Sequence, residues 1–286
     1  MRETSPYICV IILSTDRLPV KTQETSIQSG EARLYGKLYI PDAIPGPALL
    51  VCHGLNARGS GGLRLYARLA ETACRSGFVS LMFDFRGVGK STGKFDYGFG
   101  EQEDVKCALN YLASRPEVAP DRIFIVGHSL GGAVSIYAVQ NETRVKGLVL
   151  WSTPKNHDYN VRKFVRRTRG KLGLCLFLFF SYLDKVFDVS RLFRLEVYGI
   201  NLRPTYVREK LMKLHESEAL SNLPNIPLLI VIGNKDNIVG VDEAQENFAL
   251  AHEPKSLLII DSADHIYKGK EKELITKTID WINELK

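Results

Sequence analysis

The run IFIVGHSLGG, residues 123–132, most constrains what this chain can fold into. Four apolar residues lead straight into Gly127-His128-Ser129-Leu130-Gly131-Gly132, and a helical pattern follows over 130–140. A strand that turns at once into a helix holds its corner residue in strained backbone angles, with neighbours crowded against it. Glycines two before and two after the serine remove the Cβ atoms that would clash. The Ser129 hydroxyl then stands clear of a sheet, at the positive end of a helix. A glycine-rich turn with an incidental serine is the competing reading, because Gly-x-Ser-x-Gly is common by chance. The strand before it and the helix after it favour a nucleophile.

A serine hydroxyl needs a base, and the base needs an orienting acid. On a strand–turn–helix scaffold the expected order is Ser, then Asp or Glu, then His. Asp236 lies just past the apolar run 227–232, and His265 follows the run 256–260. Both sit where loops leave the carboxyl edge of a sheet, where such sites gather. The competitors fit less well. His252 follows a helix, while His215 and His157 lie in a segment without strands, where His157 reads as surface. Asp264 adjoins His265 and reads as a loop cap. Asp242 and Glu243 read as the first turn of a helix, where acids suit the dipole. Acyl transfer also needs donors for an oxyanion. The strand 48–52 ends in His53-Gly54-Leu55, which can offer the Leu55 N–H beside that of Leu130. The His53 ring reads as packing beneath this turn.

Seven short apolar runs read as strands: 34–40, 48–52, 79–85, 122–126, 146–151, 227–232 and 256–260. Most are continuous rather than alternating, which suits a sheet buried on both faces. Helical patterns separate them, with Leu65, Leu69 and Ala73 on one and Val105, Ala108, Leu109 and Leu112 on another. The expected fold is α/β, with a mostly parallel central sheet flanked by helices. The expected core is 28–152 together with 221–286. Residues 153–220 show no strand run and read as a helical insertion, and 1–27 as an irregular extension. At 286 residues the chain can bury one large core.

The net charge of +6 is local. Arg162, Lys163, Arg166, Arg167, Arg169 and Lys171 supply six cations with no acid between them. This pattern fits no nucleic-acid-binding motif, so no nucleic-acid partner is expected. The apolar run 172–183 follows at once. It reads as a packed helix behind a solvated basic face, or as an apolar wall for an acyl chain, with the cations meeting anionic groups. Membrane contact is the less favoured reading, since basic amphipathic stretches commonly stay solvated. No apolar run approaches the roughly 18 residues that span a bilayer. Five widely spaced cysteines, with Cys52 and Cys175 in apolar runs, read as buried free thiols in a reducing, cytoplasmic setting. No spacing suits a metal, and no cofactor is expected. The loop Phe83-Asp-Phe-Arg-Gly-Val-Gly-Lys-Ser91 lacks the spacing of a phosphate loop and reads as structural, with Asp84 and Arg86 bracing it.

From about Gln28 onward the chain resembles the α/β-hydrolase superfamily. The likeness is carried by His53-Gly54, Phe83-Asp-Phe-Arg-Gly87, Gly127-His-Ser-Leu-Gly-Gly132, Gly233-Asn-Lys-Asp236 and Ala263-Asp-His265. The nearest branch in these motifs is the serine aminopeptidase-like and monoacylglycerol-lipase-like one. The resemblance implies Ser129 as nucleophile, Asp236 as acid and His265 as base, as the residues themselves suggest. It implies hydrolysis of a small acyl ester, with medium acyl chains or thioesters in range. A peptidase of the same fold would need a carboxylate for a substrate amine, from Glu196, Glu209, Glu216 or Glu218. A non-catalytic binding module is the third reading, against which the full set of site residues argues.

Overall fold

The computed structural model describes residues 19–55, 62–187, 195–197 and 200–285, with side chains undescribed at 62–63, 185–187, 195–197 and 200–202. An eight-stranded sheet forms its centre, in the order β1-β2-β4-β3-β5-β6-β9-β10. These strands are β1 (Lys21–Ser29), β2 (Ala32–Ile40), β3 (Gly46–Cys52), β4 (Val79–Phe83), β5 (Val118–His128), β6 (Val145–Trp151), β9 (Leu228–Gly233) and β10 (Lys255–Ile260). From β4 to β10 every pairing is parallel, and β2 runs antiparallel to both its neighbours.

Successive side chains on a strand point to opposite faces. On β5, Ile123 and Ile125 join one core and Phe124 and Val126 the other. Continuous apolar runs are what a sheet covered on both sides requires. Helices α1 (Gly62–Arg75) and α8 (Glu271–Glu284) cover one face through Leu65, Leu69, Leu274 and Ile279. Helices α2 (Gly100–Ala113) and α3 (Leu130–Ala138) cover the other through Val105, Leu109 and Val134. Each such apolar side chain stabilises the fold by about 1.5–3 kcal/mol when fully buried.

The expected irregular extension is corrected over 21–27. Those residues belong to β1, which pairs along its whole length with β2. A two-residue turn joins them, with Gly30 at φ 56°. As an edge strand, β1 is mostly exposed and buries Ile27 and Ser29, so it carries no apolar run to read.

The segment 153–220 is largely helical, but not wholly. Helix α4 (His157–Phe187) bends at Gly170, and α5 (Pro204–Glu209) and α6 (Glu216–Ser221) follow. Between them a short antiparallel pair, β7 (Leu195–Val197) and β8 (Ile200–Leu202), corrects the expectation of no strand. Three-residue strands are too short to leave a periodic signal. Val161, Val165, Phe177 and Val207 place this segment on the core face that contains α2 and α3. Helix α7 (Val241–Leu250) begins with Asp242 and Glu243 in its first turn, as expected.

The loop after β4 is braced differently from the expectation. Arg86 pairs with Asp104 of α2, at 2.7 Å from Nη2 and 3.0 Å from Nε, and its N–H donates to the same carboxylate. Asp84 instead accepts from the Lys90 N–H at 2.9 Å. Sequence adjacency suggested Asp84, whereas the buried carboxylate within reach comes from the next helix. Asp104→Ala would leave the mostly buried guanidinium and the Arg86 N–H without this partner. It should cost about 3–5 kcal/mol of stability by urea unfolding.

Candidate functional site

Parallel strands, among them β10 before His265, bring the expected residues to one edge of the sheet. The ends of β3, β5, β6 and β9 are in register, with Cys52 opposite Gly127, His128 opposite Trp151, and Trp151 opposite Val231. The loops that leave this edge carry Leu55, Ser129, Asp236 and His265.

Ser129 occupies the corner between β5 and α3 at φ 53°, ψ −119°, a left-handed conformation for a residue with a Cβ. Its N–H donates to the Trp151 carbonyl at 2.8 Å, and its carbonyl accepts from Ala133 at 3.1 Å. The flanking glycines are needed for close approach. A Cβ on Gly131 would lie 2.3 Å from the Cys52 carbonyl oxygen, and one on Gly127 would lie 2.6 Å from the Gly132 Cα.

The three side chains meet. His265 Nε2 lies 3.2 Å from Ser129 Oγ, and His265 Nδ1 donates to Asp236 Oδ2 at 2.9 Å. The other Asp236 oxygen accepts from the Ile238 and Val239 N–H groups, at 2.9 and 3.0 Å. Burial by itself would raise the Asp236 carboxyl. The His265 hydrogen bond, the His265 charge and the Ile238 N–H outweigh it and hold the carboxyl below its ordinary value. An ionised Asp236 fixes the His265 proton on Nδ1 and leaves Nε2 able to accept the serine proton. Asp264 points elsewhere and caps its own loop, accepting from Ile266 and Lys268 at 3.2 and 2.9 Å.

The His53-Gly54-Leu55 turn lies beside Ser129, for a Cβ on Gly54 would come within 3.4 Å of the serine Cβ. His53 is buried beneath this turn, as expected. Its Nε2 accepts from the Phe85 N–H at 3.1 Å, so its Nδ1 carries the proton and donates to the Gly54 carbonyl at 2.7 Å. The carbonyl and the following N–H of a trans peptide point in opposite directions. The Leu55 N–H is therefore turned away from His53. The Leu130 N–H opens α3, where a helix offers it no internal acceptor.

Sequence reasoning missed one group. His128 is buried, its Nε2 lies 2.9 Å from the His265 carbonyl, and its Nδ1 lies 2.6 Å from the Tyr66 hydroxyl. A carbonyl only accepts, so Nε2 carries the proton and Tyr66 donates to Nδ1. The Tyr66 oxygen in turn accepts from the Gly54 N–H at 3.0 Å. This chain joins the Gly54 turn, the serine corner and the backbone of His265. Burial, followed by the nearby His265, depresses His128 to about 3, so it stays neutral. The partners are 62 and 137 residues away, and no local pattern announces them.

The overlying segment closes in from one side, where Leu214 approaches Gly98, as Leu130 does from the core. His157, expected at the surface, is buried and paired with the fully buried Glu216. Glu209 pairs with Arg208, and Glu218 is exposed. The Glu196 side chain lies outside the described residues. His215 and His252 are exposed, bonded to Asn156 and to the Ser221 carbonyl.

Residues 47–173 match the family described as the alpha/beta hydrolase fold. The uncharacterized protein YfhR of Escherichia coli O157:H7 is 25% identical over 263 residues, 89% of this chain and 76% of its own. Est1E from Butyrivibrio proteoclasticus, solved with ferulic acid bound, aligns with a TM-score of 0.71 at 21% identity. That alignment covers 91% of this chain and 98% of Est1E. The Pyrococcus furiosus esterase Pf2001 aligns at 0.68 and 20% identity, over 93% of this chain and 91% of its own. Sheet, flanking helices and these likenesses give this chain the α/β-hydrolase fold, and an esterase is among its structural neighbours.

The neutral His128 has a measurable consequence. An unfolded histidine binds its proton near 6.5, whereas the folded one resists protonation to about 3. The unfolded state therefore holds more protons in that window, and His128 withdraws stability as pH falls through it. His128→Gln should lose less of its own stability than the wild type between pH 6.5 and 4, measured by denaturant titration at each pH.

Proposed function

We propose that the protein is a serine hydrolase that cleaves carboxylic esters through an acyl-enzyme, within the aminopeptidase-like and monoacylglycerol-lipase-like branch. The observation that carries this reading is the unbroken hydrogen-bond chain from Ser129 through His265 to Asp236. Ser129 Oγ attacks the carbonyl carbon while its proton passes to His265 Nε2. Asp236 holds the imidazole and stabilises the imidazolium. The Leu55 and Leu130 N–H groups donate hydrogen bonds to the negative charge that develops on the carbonyl oxygen. His265 returns the proton to the leaving alkoxide, the C–O bond breaks, and an alcohol departs. Water, deprotonated by His265, then adds to the acyl-enzyme, and the acid leaves with Ser129 Oγ reprotonated.

These steps use protein groups alone, and the substrate is a small acyl ester. A medium acyl chain, of an ester or of a thioester, falls within this reading. The peptidase reading has less support, since Glu216 and Glu209 are engaged with His157 and Arg208. A binding module alone would give no reason for the ordered serine, histidine and aspartate. The fold shared with the Pyrococcus furiosus esterase Pf2001 agrees with ester chemistry.

Hydrolysis of p-nitrophenyl esters over a series of acyl lengths tests the proposal. Turnover is expected, with an optimum at medium length. Ser129→Ala should reduce it by about 10⁴–10⁶ and Asp236→Asn by about 10⁴. Turnover that survives Ser129→Ala, or no turnover at any length, would contradict the reading.

A further inference from the structure

The second half of α4 is apolar on the wrong side. Its inward face buries Phe177, Ser181 and Asp184. Its outward face carries Leu172 at 72% exposure, Leu176 at 39%, Phe179 at 57% and Tyr182 at 63%. Cys175 is exposed among them, which corrects the expectation of a buried thiol. At about 100° per residue these five positions fall within an arc of about 120°, opposite the buried residues. A surface helix ordinarily keeps that arc polar. A contiguous apolar stripe on the outside marks a surface that meets something apolar.

The charges beside the stripe say what kind of surface that is. Among the six cations before it, Arg162 pairs with Asp158, Lys163 with Glu243, and Arg167 donates to the Asn237 carbonyl. Arg166, Arg169 and Lys171 are exposed, Lys171 directly before the stripe and the other two on the far side of the bend at Gly170. No acid occurs from 159 to 183. No helix among the described residues is long and apolar enough to cross a membrane. An apolar face with cations at one end is the pattern of a helix that lies in the interface of an anionic bilayer.

We propose that the outward stripe of α4, Leu172 to Tyr182, together with the exposed cations that precede it, is a docking surface for an anionic phospholipid bilayer. Leu172, Leu176, Phe179 and Tyr182 enter the boundary between headgroups and acyl chains, and Arg166 and Lys171 meet the phosphates. This stands apart from the chemistry proposed for Ser129.

Flotation of the full chain with vesicles tests it, using phosphatidylcholine alone or mixed with phosphatidylserine. Binding to the mixed vesicles is expected, and salt should weaken it. Leu172→Asp with Phe179→Asp should lower that binding by about tenfold or more. Arg166→Glu with Lys171→Glu should lower it by about tenfold or more and remove the preference for phosphatidylserine. All four side chains are exposed, so the variants should melt at the wild-type temperature, measured alongside. Absence of binding to either vesicle would overturn the proposal. So would binding that both variants retain, which would place the contact elsewhere, for instance in the apolar run 7–13. A dimer in size-exclusion chromatography that Leu172→Asp with Phe179→Asp dissolves would assign the face to a second copy of the chain, and would also overturn it.

Discussion

The left-handed backbone of Ser129 is the constraint on which the rest of the site depends. A non-glycine residue held there costs about 1–3 kcal/mol and persists only when its surroundings enforce it. Here the Trp151 carbonyl grips the serine N–H, and α3 begins from its carbonyl. The corner closes because glycines at 127 and 131 let the backbones of β3, β5 and α3 touch. The conformation puts Oγ at the carboxyl edge of the sheet, where loops from β9 and β10 can reach it. A relaxed serine would point along the strand or into the helix, and Asp236 and His265 would have nothing to act on.

Three buried histidines around this corner show how environment sorts one residue type into different work. His53 and His128 are wholly enclosed, and each has its proton fixed by one donor and one acceptor. They hold backbone. His265 differs because its partner is a carboxylate, which tolerates a positive charge on the ring. His128 and His265 face each other with ring centroids 5.1 Å apart. Two cations at that distance would repel each other, and the depressed His128 stays neutral.

The sequence legibly carried the elements that bury apolar runs or strain the backbone. The strands around 123–126 and 227–232 announce themselves because both sides of each strand are covered. Ser129, Asp236 and His265 were readable because each follows such a strand in a fixed order. Three kinds of feature escaped. Strand β1 hid because an edge strand needs little apolar content. The partners of Arg86 and His128 hid because they come from Asp104, Tyr66 and His265, distant in sequence and adjacent only once the sheet is formed. His157 looked polar and exposed, yet Glu216 arrives 59 residues later to pair with it in the interior. The α4 stripe was visible as an apolar run, but which face it turns inward depends on how the helix packs after Gly170.

The account stands on the claim that Ser129 is an activated nucleophile, and a fluorophosphonate reports on that directly. The reagent phosphonylates a serine whose neighbouring base removes its proton, with fluoride as the leaving group. Incubation of the protein followed by peptide mass spectrometry should place a single adduct on Ser129, formed far more slowly in His265→Ala. No adduct, or an adduct on another residue with Ser129 unmodified, would contradict the account.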